Sequence, residues 1–153
     1  MSDDNLIYGF QGRYRFLSNF HPVRRGVYLD GFRYPTVEHA YQAAKTLCPV
    51  ERAEICHAKT PGEAKRLGRE VTIRENWAVH RLCSMEGLLR QKFAPRTYLA
   101  GQLKNTGTKK IVEGNTWGDT FWGRCNGKGH NHLGELLMEI RQDLITNYTT
   151  GSR

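Results

Sequence analysis

The apolar and polar positions near the start of the chain are typical of β-structure. Two β-prone runs, Val27–Leu29 and Phe32–Tyr34, flank Asp30-Gly31. Asp-Gly between such runs suits a two-residue hairpin turn, because both turn residues need positive φ. Thr36 follows the second run and can cap a helix that extends through Lys45. The pattern predicts a β-hairpin followed directly by a helix.

Helical spacing dominates the rest of the chain. Thr60 and Pro61 are placed to begin a short helix that carries Lys65 and ends near Gly68. A longer helix is expected from about Arg74, with a buried face formed by Ala78, Leu82, Met85 and Leu89.

A closing helix is expected at the C-terminal end, where apolar residues again recur at helical spacing. Its buried face would hold Leu133, Leu136, Leu137, Ile140 and Leu144, and its solvent face Glu135, Glu139, Arg141 and Asp143. Between the two long helices, residues 109–131 contain a possible strand at Ile111-Val112 and are otherwise predicted to be loop.

These elements predict a predominantly helical α+β domain with a small antiparallel sheet. The 153 residues are enough for one domain with one core, and we expect residues 1–153 to form a single domain with its core at about residues 8–146. No apolar run is long enough to cross a bilayer, no signal peptide is recognisable, and the four cysteines form no Cys-x-x-Cys pair. A cytoplasmic location is expected.

The formal net charge of +8 favours phosphorylated or polyanionic partners. The basic residues are spread along the chain, so a basic but inert surface is an equal alternative. Charge alone does not identify the partner.

The first group of candidate residues lies on the helix after the hairpin. Glu38, Tyr41, Gln42 and Lys45 are spaced by three, four and seven residues, which places them on one helix face. A carboxylate can stabilise an oxocarbenium-like sugar or activate water, and a partly desolvated lysine can hold phosphate or form a Schiff base. The alternative is a solvated charged stripe.

A second group of candidates occupies a short loop rich in acids and aromatic rings. It consists of Glu113, Asn115, Trp117, Asp119, Trp122 and Gly123. A tryptophan face beside carboxylates suits a flat heterocycle, although tryptophans that complete the edge of the core are a common alternative.

The third candidate is the glycine-rich turn from Gly127 to Asn131, which leads into the closing helix. Its backbone N–H groups, with Lys128 and the helix dipole, could hold a phosphate, but a helix-capping turn explains the glycines almost as well. Cys125, His130 and His132 lack a fourth metal ligand at a recognised spacing, so neither a metal nor another cofactor is predicted.

Several motifs along the chain resemble those of the NADAR family of YbiA-like proteins. The resemblance covers roughly Phe16 to Leu144, and its motifs follow the order of the family. They are Leu17-Ser18-Asn19-Phe20, Pro35-Thr36-Val37-Glu38-His39 with Tyr41-Gln42 and Lys45, Leu67-Gly68-Arg69, Glu75-Asn76-Trp77, Val112-Glu113, Asp119 with Trp122-Gly123, Gly127-Lys128-Gly129 with Asn131, Leu133-Gly134, and Leu137-Met138-Glu139-Ile140-Arg141.

The resemblance implies a YbiA-like fold and an N-glycosidase that acts on ribosylated heterocycles. The implied substrates are phosphorylated ribosylaminopyrimidine intermediates of riboflavin synthesis or ADP-ribosylated guanine, which can lie in nucleic acid. The implied catalytic residues are Glu38, Lys45 and Asp119. The implied substrate-binding residues are Asn19, Arg69, Trp77, Glu113, Trp122, Gly123, Lys128 and Asn131.

Within this resemblance, Trp77 and Trp122 would face the base, Arg69 and Lys128 the phosphate, and Asn19 the ribose or base. We expect a pocket between the Glu38 helix and the loop of residues 117–131. The alternative function is a non-catalytic module that binds ADP-ribose, NAD or nucleic acid. Turnover of a ribosylated substrate separates the two.

Overall fold

The computed structural model describes residues 3–150. Six strands and six α-helices lie within this range, together with two short 3-10 helices at Asp3–Asn5 and Gly12–Leu17. In chain order they are β1 (Leu6–Tyr8), β2 (Val27–Leu29), β3 (Phe32–Tyr34), α1 (Val37–Ala44), α2 (Pro49–Cys56), α3 (Pro61–Gly68), α4 (Trp77–Lys92), α5 (Tyr98–Asn105), β4 (Lys110–Val112), β5 (Gly114–Asn115), β6 (Arg124–Cys125) and α6 (His132–Thr150).

The predicted fold class, a predominantly helical α+β protein, is confirmed. The chain divides into two compact units, which we call the central unit, Asn19–Lys92, and the terminal unit, formed by the residues before Asn19 and from Phe93 onward. Whether they act as the single domain expected from the sequence stays a prediction. No helix of the described residues is long and apolar enough to cross a membrane.

The central unit begins with the predicted hairpin. β2 and β3 pair antiparallel with Val27 opposite Tyr34, and Asp30 and Gly31 both have positive φ, as the turn requires. Helix α1 then packs against α2, α3 and α4, so it lies at the centre of this unit. All eight residues of α1 are buried, which is why its polar side chains must find partners inside the protein.

Helix α4 differs from the prediction in its start and in its buried face. It begins at Trp77 instead of Arg74, and Ala78 and Leu82 are exposed, while Met85 and Leu89 are buried as expected. Asn76, with φ of 58°, sets the start, because its carbonyl accepts the amides of the first helical turn. Only the second half of α4 therefore contributes apolar side chains to the core.

Lys92 ends helix α4 and is buried to 99% of its surface. Burial lowers the pKa of Lys92 to about 7, because an ammonium group loses its hydration inside the protein. Lys92 is thus the most buried lysine of the central unit.

In the terminal unit, strands β1 and β4 form a parallel pair with Ile7 opposite Ile111, and α6 packs on β4. A second parallel pair joins β5 to β6. These two parallel pairs were not predicted, because three-residue strands leave almost no periodicity in the sequence. Among residues 3–150, the antiparallel sheet is therefore the β2–β3 hairpin.

Helix α6 confirms the predicted closing helix, with Leu133, Leu137, Ile140 and Leu144 buried. The prediction that Arg141 faces solvent was wrong. Its side chain is 7% exposed and donates from Nη1 to Thr106 Oγ1 at 2.8 Å, beyond the end of α5. A long arginine side chain can reach a buried acceptor, which a simple helical wheel does not anticipate.

Candidate active site

Helix α1 positions Glu38 in its first turn. Thr36 caps the helix, as its hydroxyl oxygen accepts from the backbone N–H of His39 at 3.0 Å. The backbone N–H of Glu38 itself donates to Asn19 O at 3.1 Å. A carboxylate in the first helical turn is favoured by the positive end of the helix dipole. The sequence therefore places a buried acid where its charged form is stabilised.

The carboxylate of Glu38 is held by Gln42, one helical turn further along α1. Gln42 Nε2 donates to Glu38 Oε1 at 3.0 Å, and the two side chains are 4% and 7% exposed. Gln42 Oε1 is buried and has no hydrogen-bond partner among residues 3–150. The predicted face of α1 is therefore an internal polar arrangement, and the alternative of a solvated charged stripe was wrong.

Lys45 directly follows α1 on the same face. Its Nζ lies 5.8 Å from the centroid of the Tyr41 ring, and that ring is 5.4 Å from the ring of Trp77 at an angle of 49°. Tyr41 is 6% exposed, whereas Trp77 is half-buried and keeps part of its indole accessible. The structure thus brings the predicted amine and one predicted aromatic residue to the same tyrosine.

Three cations surround the end of α1. Burial lowers the pKa of Lys45, the carboxylate of Glu38 opposes that shift, and the positive charges of Lys65 and Arg69 lower it further. Lys65 and Arg69 are four residues apart at the end of α3, so they lie on one side of that helix. Because Lys65 and Arg69 disfavour the charged form of Lys45, a bound anion would stabilise all three cations.

Asn19 lies beside Glu38 through its backbone carbonyl. Its side-chain Nδ2 is 3.6 Å from Met85 Sδ, a weak acceptor, and its buried Oδ1 has no hydrogen-bond partner among the described residues. A buried amide oxygen without a donor is uncommon in folded proteins. Its predicted role, a hydrogen bond to ribose or base, stays a prediction.

In the terminal unit, the predicted acids are tied into a loop network. Asn115 Nδ2 donates to Glu113 Oε2 at 3.0 Å and to Asp119 O at 2.8 Å. Asp119 Oδ1 in turn accepts the backbone N–H groups of Phe121 at 3.1 Å and Trp122 at 2.9 Å. One carboxylate oxygen of Asp119 is therefore used to close the loop, and its catalytic role stays a prediction.

Gly123 permits this network because it has no side chain. A Cβ at this position would overlap the carbonyl and carboxylate oxygens of Glu113 and would lie 2.8 Å from Asn115 Nδ2. The close approach explains the glycine without any ligand. Its predicted contact with substrate stays a prediction.

The side chain of Asn131, a predicted substrate-binding residue, is used for hydrogen bonds inside the protein, and its contact with substrate stays a prediction. Asn131 is fully buried, donates from Nδ2 to Ile111 O at 3.0 Å, and accepts the backbone N–H of Glu113 at 2.9 Å. Its φ of 55° suits asparagine, which tolerates the left-handed region. The residue joins strand β4 to the start of α6.

Several amides of the predicted phosphate-binding turn are used inside the loop. The amides of Lys128, His130 and Asn131 donate to the carbonyls of Cys125, Thr120 and Gly123, at 3.1, 2.8 and 3.2 Å. At the start of α6, His132 and Leu133 donate to Phe121 and Trp122. These five donors hold the loop, so they are not directed at an anion. The role of Lys128, whose side chain is exposed, in binding phosphate stays a prediction.

Trp122 is half-buried and packs against Phe121, with ring centroids 4.8 Å apart and nearly perpendicular planes. Its ring also lies 6.5 Å from that of His132. Trp117, by contrast, is 62% exposed. The loop aromatics are therefore partly structural, and the predicted base-facing role of Trp122 stays a prediction.

No cluster of three His, Cys, Asp or Glu side chains arranged for a metal occurs among the residues described.

The structure groups five of the eleven predicted residues around α1 in the central unit, namely Asn19, Glu38, Lys45, Arg69 and Trp77. Glu113, Asp119, Trp122, Gly123 and Asn131 belong to the loop network of the terminal unit. The expected pocket between these two sets stays a prediction.

Sequence reasoning missed two positions of the central unit that bear on the site. Lys65 was noted only as part of a helix, and no role was given to Gly68. Residues 65, 68 and 69 share the spacing of one helix face, which was the available signal.

The fold and these residues define a known class. The model of the NADAR domain family matches residues 8–145, so the chain belongs to the NADAR family. N-glycosidase YbiA of Shigella flexneri is 39% identical to it over 146 residues, which cover 92% of this chain and 89% of that protein.

Two further comparisons agree with this family. The NMR structure of the protein YbiA of E. coli matches with a TM-score of 0.80 and 35% identity, covering 97% of this chain and 90% of that one. A riboflavin biosynthesis protein of Vibrio vulnificus, VVA0006, is 36% identical over 132 residues, which cover 84% of this chain but 35% of that longer protein. The YbiA-like fold implied by the sequence motifs is confirmed.

Proposed function

We propose that this chain releases a heterocyclic base from a phosphorylated ribosyl substrate, with Glu38 as its catalytic carboxylate. The activity class is that of a hydrolase acting on N-glycosyl compounds, since the chain belongs to the NADAR family and resembles N-glycosidases over about nine-tenths of its length. The substrate class and the roles of individual residues are the proposal.

The observation that carries the proposal is the charge arrangement at the end of α1. A buried carboxylate, Glu38, and a partly buried amine, Lys45, lie seven residues apart on one helix face, and the charges of Glu38, Lys65 and Arg69 act on the amine. Cleavage of an N-glycosidic bond develops positive charge on the sugar, which a nearby carboxylate stabilises. The cations suit the phosphate that the same sugar carries. One substrate therefore accounts for both signs of charge.

In the direct route, Glu38 accepts a proton from a water molecule whose oxygen attacks C1′ of the ribose. The bond between C1′ and the base nitrogen breaks, its electron pair stays on the nitrogen, and that nitrogen takes up a proton. The products are the free base and the ribose phosphate with a hydroxyl group at C1′. Glu38 then returns its proton to solvent.

In the covalent route, Lys45 Nζ attacks C1′ of the ring-opened sugar, and a proton passes to the leaving base nitrogen. The resulting Schiff base is hydrolysed by water to the free sugar aldehyde and the amine. The lowered pKa of Lys45 supports this route, because only the neutral amine is a nucleophile. The two routes differ in whether a covalent adduct forms.

Lys65 and Arg69 are assigned to the phosphate of the substrate. The positive charges of both residues lower the pKa of Lys45. Bound phosphate would offset the repulsion among the three cations. Trp77 is assigned to the base, because its accessible indole can stack on a flat ring.

Turnover on two substrates tests the proposal. The wild-type protein is incubated with a ribosylaminopyrimidine 5′-phosphate and, separately, with an oligonucleotide carrying ADP-ribosylated guanine, and the released base is measured. Release of base from either substrate supports the N-glycosidase. The substrate that is cleaved faster shows whether a free metabolite or a nucleic-acid adduct is preferred. Binding without base release from both would overturn the proposal in favour of a binding module.

A further inference from the structure

Gly68 ends helix α3 and lies directly against the side chain of Gln42 on α1. A Cβ built on Gly68 would overlap Gln42 Oε1 and would lie 2.7 Å from Gln42 Cδ. The backbone of Gly68 is helical, without a left-handed φ, so alanine would be allowed there by the backbone alone. Glycine also costs about 1 kcal/mol relative to alanine within a helix. Contact with Gln42 is therefore the reason that the structure gives for glycine.

Gln42 is confined between this backbone and the acid. Its Nε2 donates to Glu38 Oε1 at 3.0 Å, and its Oε1 remains without a donor among the residues described. Leaving a buried amide oxygen without a partner is costly, so its presence needs an explanation.

We propose that Gln42 and Gly68 are positioning residues that together fix the carboxylate of Glu38 in its reactive orientation. Gly68 leaves the space in which the Gln42 amide lies, and the amide donates to the carboxylate. The inference rests on the proposed function of Glu38. It explains why the last turn of α3 carries a residue without a side chain where it meets Gln42.

Four variants test the inference. Gly68→Ala displaces the amide, and Gln42→Met keeps the side-chain length while removing the donor. Both should lower kcat by about 10²-fold, the usual effect of a misplacement near 1 Å, while KM stays within about twofold. Gln42→Ala should lower kcat similarly, and adding Gly68→Ala to it should cause little further loss, because the amide is already absent.

Gly62→Ala is the matched control on the same helix. A Cβ at Gly62 would have only Thr60 Oγ1 nearby, at 3.8 Å, so kcat should equal that of the wild type. Retained kcat in Gly68→Ala or Gln42→Met, or kcat losses that multiply in the double variant, would overturn the inference. If Gly68→Ala does not fold, Gln42→Met still tests the donor without a change in α3.

A spectroscopic measurement separates this inference from the proposed function. The carboxyl carbon of Glu38 and the side-chain N–H groups of Gln42 are followed by NMR in the wild type, Gly68→Ala and Gly62→Ala. We expect both signals to shift in Gly68→Ala alone. Unchanged signals would contradict the positioning role even if Glu38 proves catalytic. Shifted signals together with wild-type turnover by Glu38→Gln would contradict the proposed function and leave only the contact between Gln42 and Glu38.

Discussion

Asn115 and Asp119 hold each other by two reciprocal hydrogen bonds, from Asn115 Nδ2 to Asp119 O at 2.8 Å and from Asp119 N to Asn115 Oδ1 at 3.0 Å. The Asp119 carboxylate extends this turn by accepting two further backbone amides. Asp119, which the motifs predict to be a catalytic acid, thus also holds the loop together through hydrogen bonds.

Two substitutions of Asp119 separate these roles. Asp119→Asn keeps an oxygen that can accept both amides, so we expect near wild-type stability, whereas the predicted catalytic role requires its turnover to fall. Asp119→Ala removes the acceptor and should lower the free energy of unfolding by about 1 kcal/mol, as loss of a cap does. Denaturant unfolding and base-release assays on both variants make the comparison. Loss of turnover by about 10² or more in stable Asp119→Asn would show that the charge itself is catalytic.

The cations at the end of α3 should affect substrate binding more than chemistry. Lys65→Gln and Arg69→Gln each remove one charge near Lys45, and we expect KM to rise by about tenfold, equivalent to roughly 1.4 kcal/mol, with kcat little changed. Steady-state kinetics at low ionic strength measures this. Arg66→Gln is the control, because Arg66 is exposed and pairs with Glu70 instead. Equal KM values in all three variants would exclude the phosphate assignment.

Lys92 should make the protein less stable near neutral pH than above pH 10. Its pKa of about 7 in the folded state is below the ordinary value of 10.5, so the unfolded chain binds more protons between those two values. Stability then rises with pH across that window. Lys92→Met should raise Tm at pH 7 by roughly 2–6 °C, and the gain should shrink towards pH 10.

Thermal unfolding of Lys92→Met and of the exposed control Lys59→Met between pH 6 and 10 checks this. If the difference in Tm between Lys92→Met and the wild type does not depend on pH, the linkage is contradicted, because a change in packing alone does not alter proton binding. The control should follow the wild type throughout.

Borohydride reduction distinguishes the two roles of Lys45. In the covalent route, sodium borohydride added during turnover should leave the sugar attached to Lys45, with a mass increase that is absent in Lys45→Ala. Mass spectrometry of the tryptic peptide locates the adduct. If no adduct forms while turnover is normal, Lys45 acts as a phosphate ligand and the direct route stands.

The sequence predicted the local elements that have strong signals. Turn chemistry predicted the Asp30-Gly31 hairpin, and capping preference predicted the role of Thr36. Helical spacing predicted that Glu38 and Gln42 lie on one face of α1. The structure contains all three features. Contacts between elements left no such signal. That Gly68 meets Gln42, or that Arg141 reaches Thr106, depends on how helices pack, which residue types alone do not reveal.

The glycine-rich turn illustrates the same difficulty in the candidate site. Glycines, a lysine and a helix start from Gly127 onward predicted an anion site, but the amides of Lys128 and of residues 130–133 bond to the carbonyls of residues 120–125. A glycine that allows close backbone approach and one that binds phosphate look identical in a sequence. Only the pairing of the donors separates them.

The most direct test of the account is base release by Glu38→Gln. The substitution keeps the size of the buried side chain and removes its charge, so we expect the protein to fold and kcat to fall by at least about 10²-fold on whichever ribosylated substrate the wild type cleaves. Glu54→Gln, an exposed change on α2, should match the wild type. Wild-type turnover by folded Glu38→Gln would contradict the account.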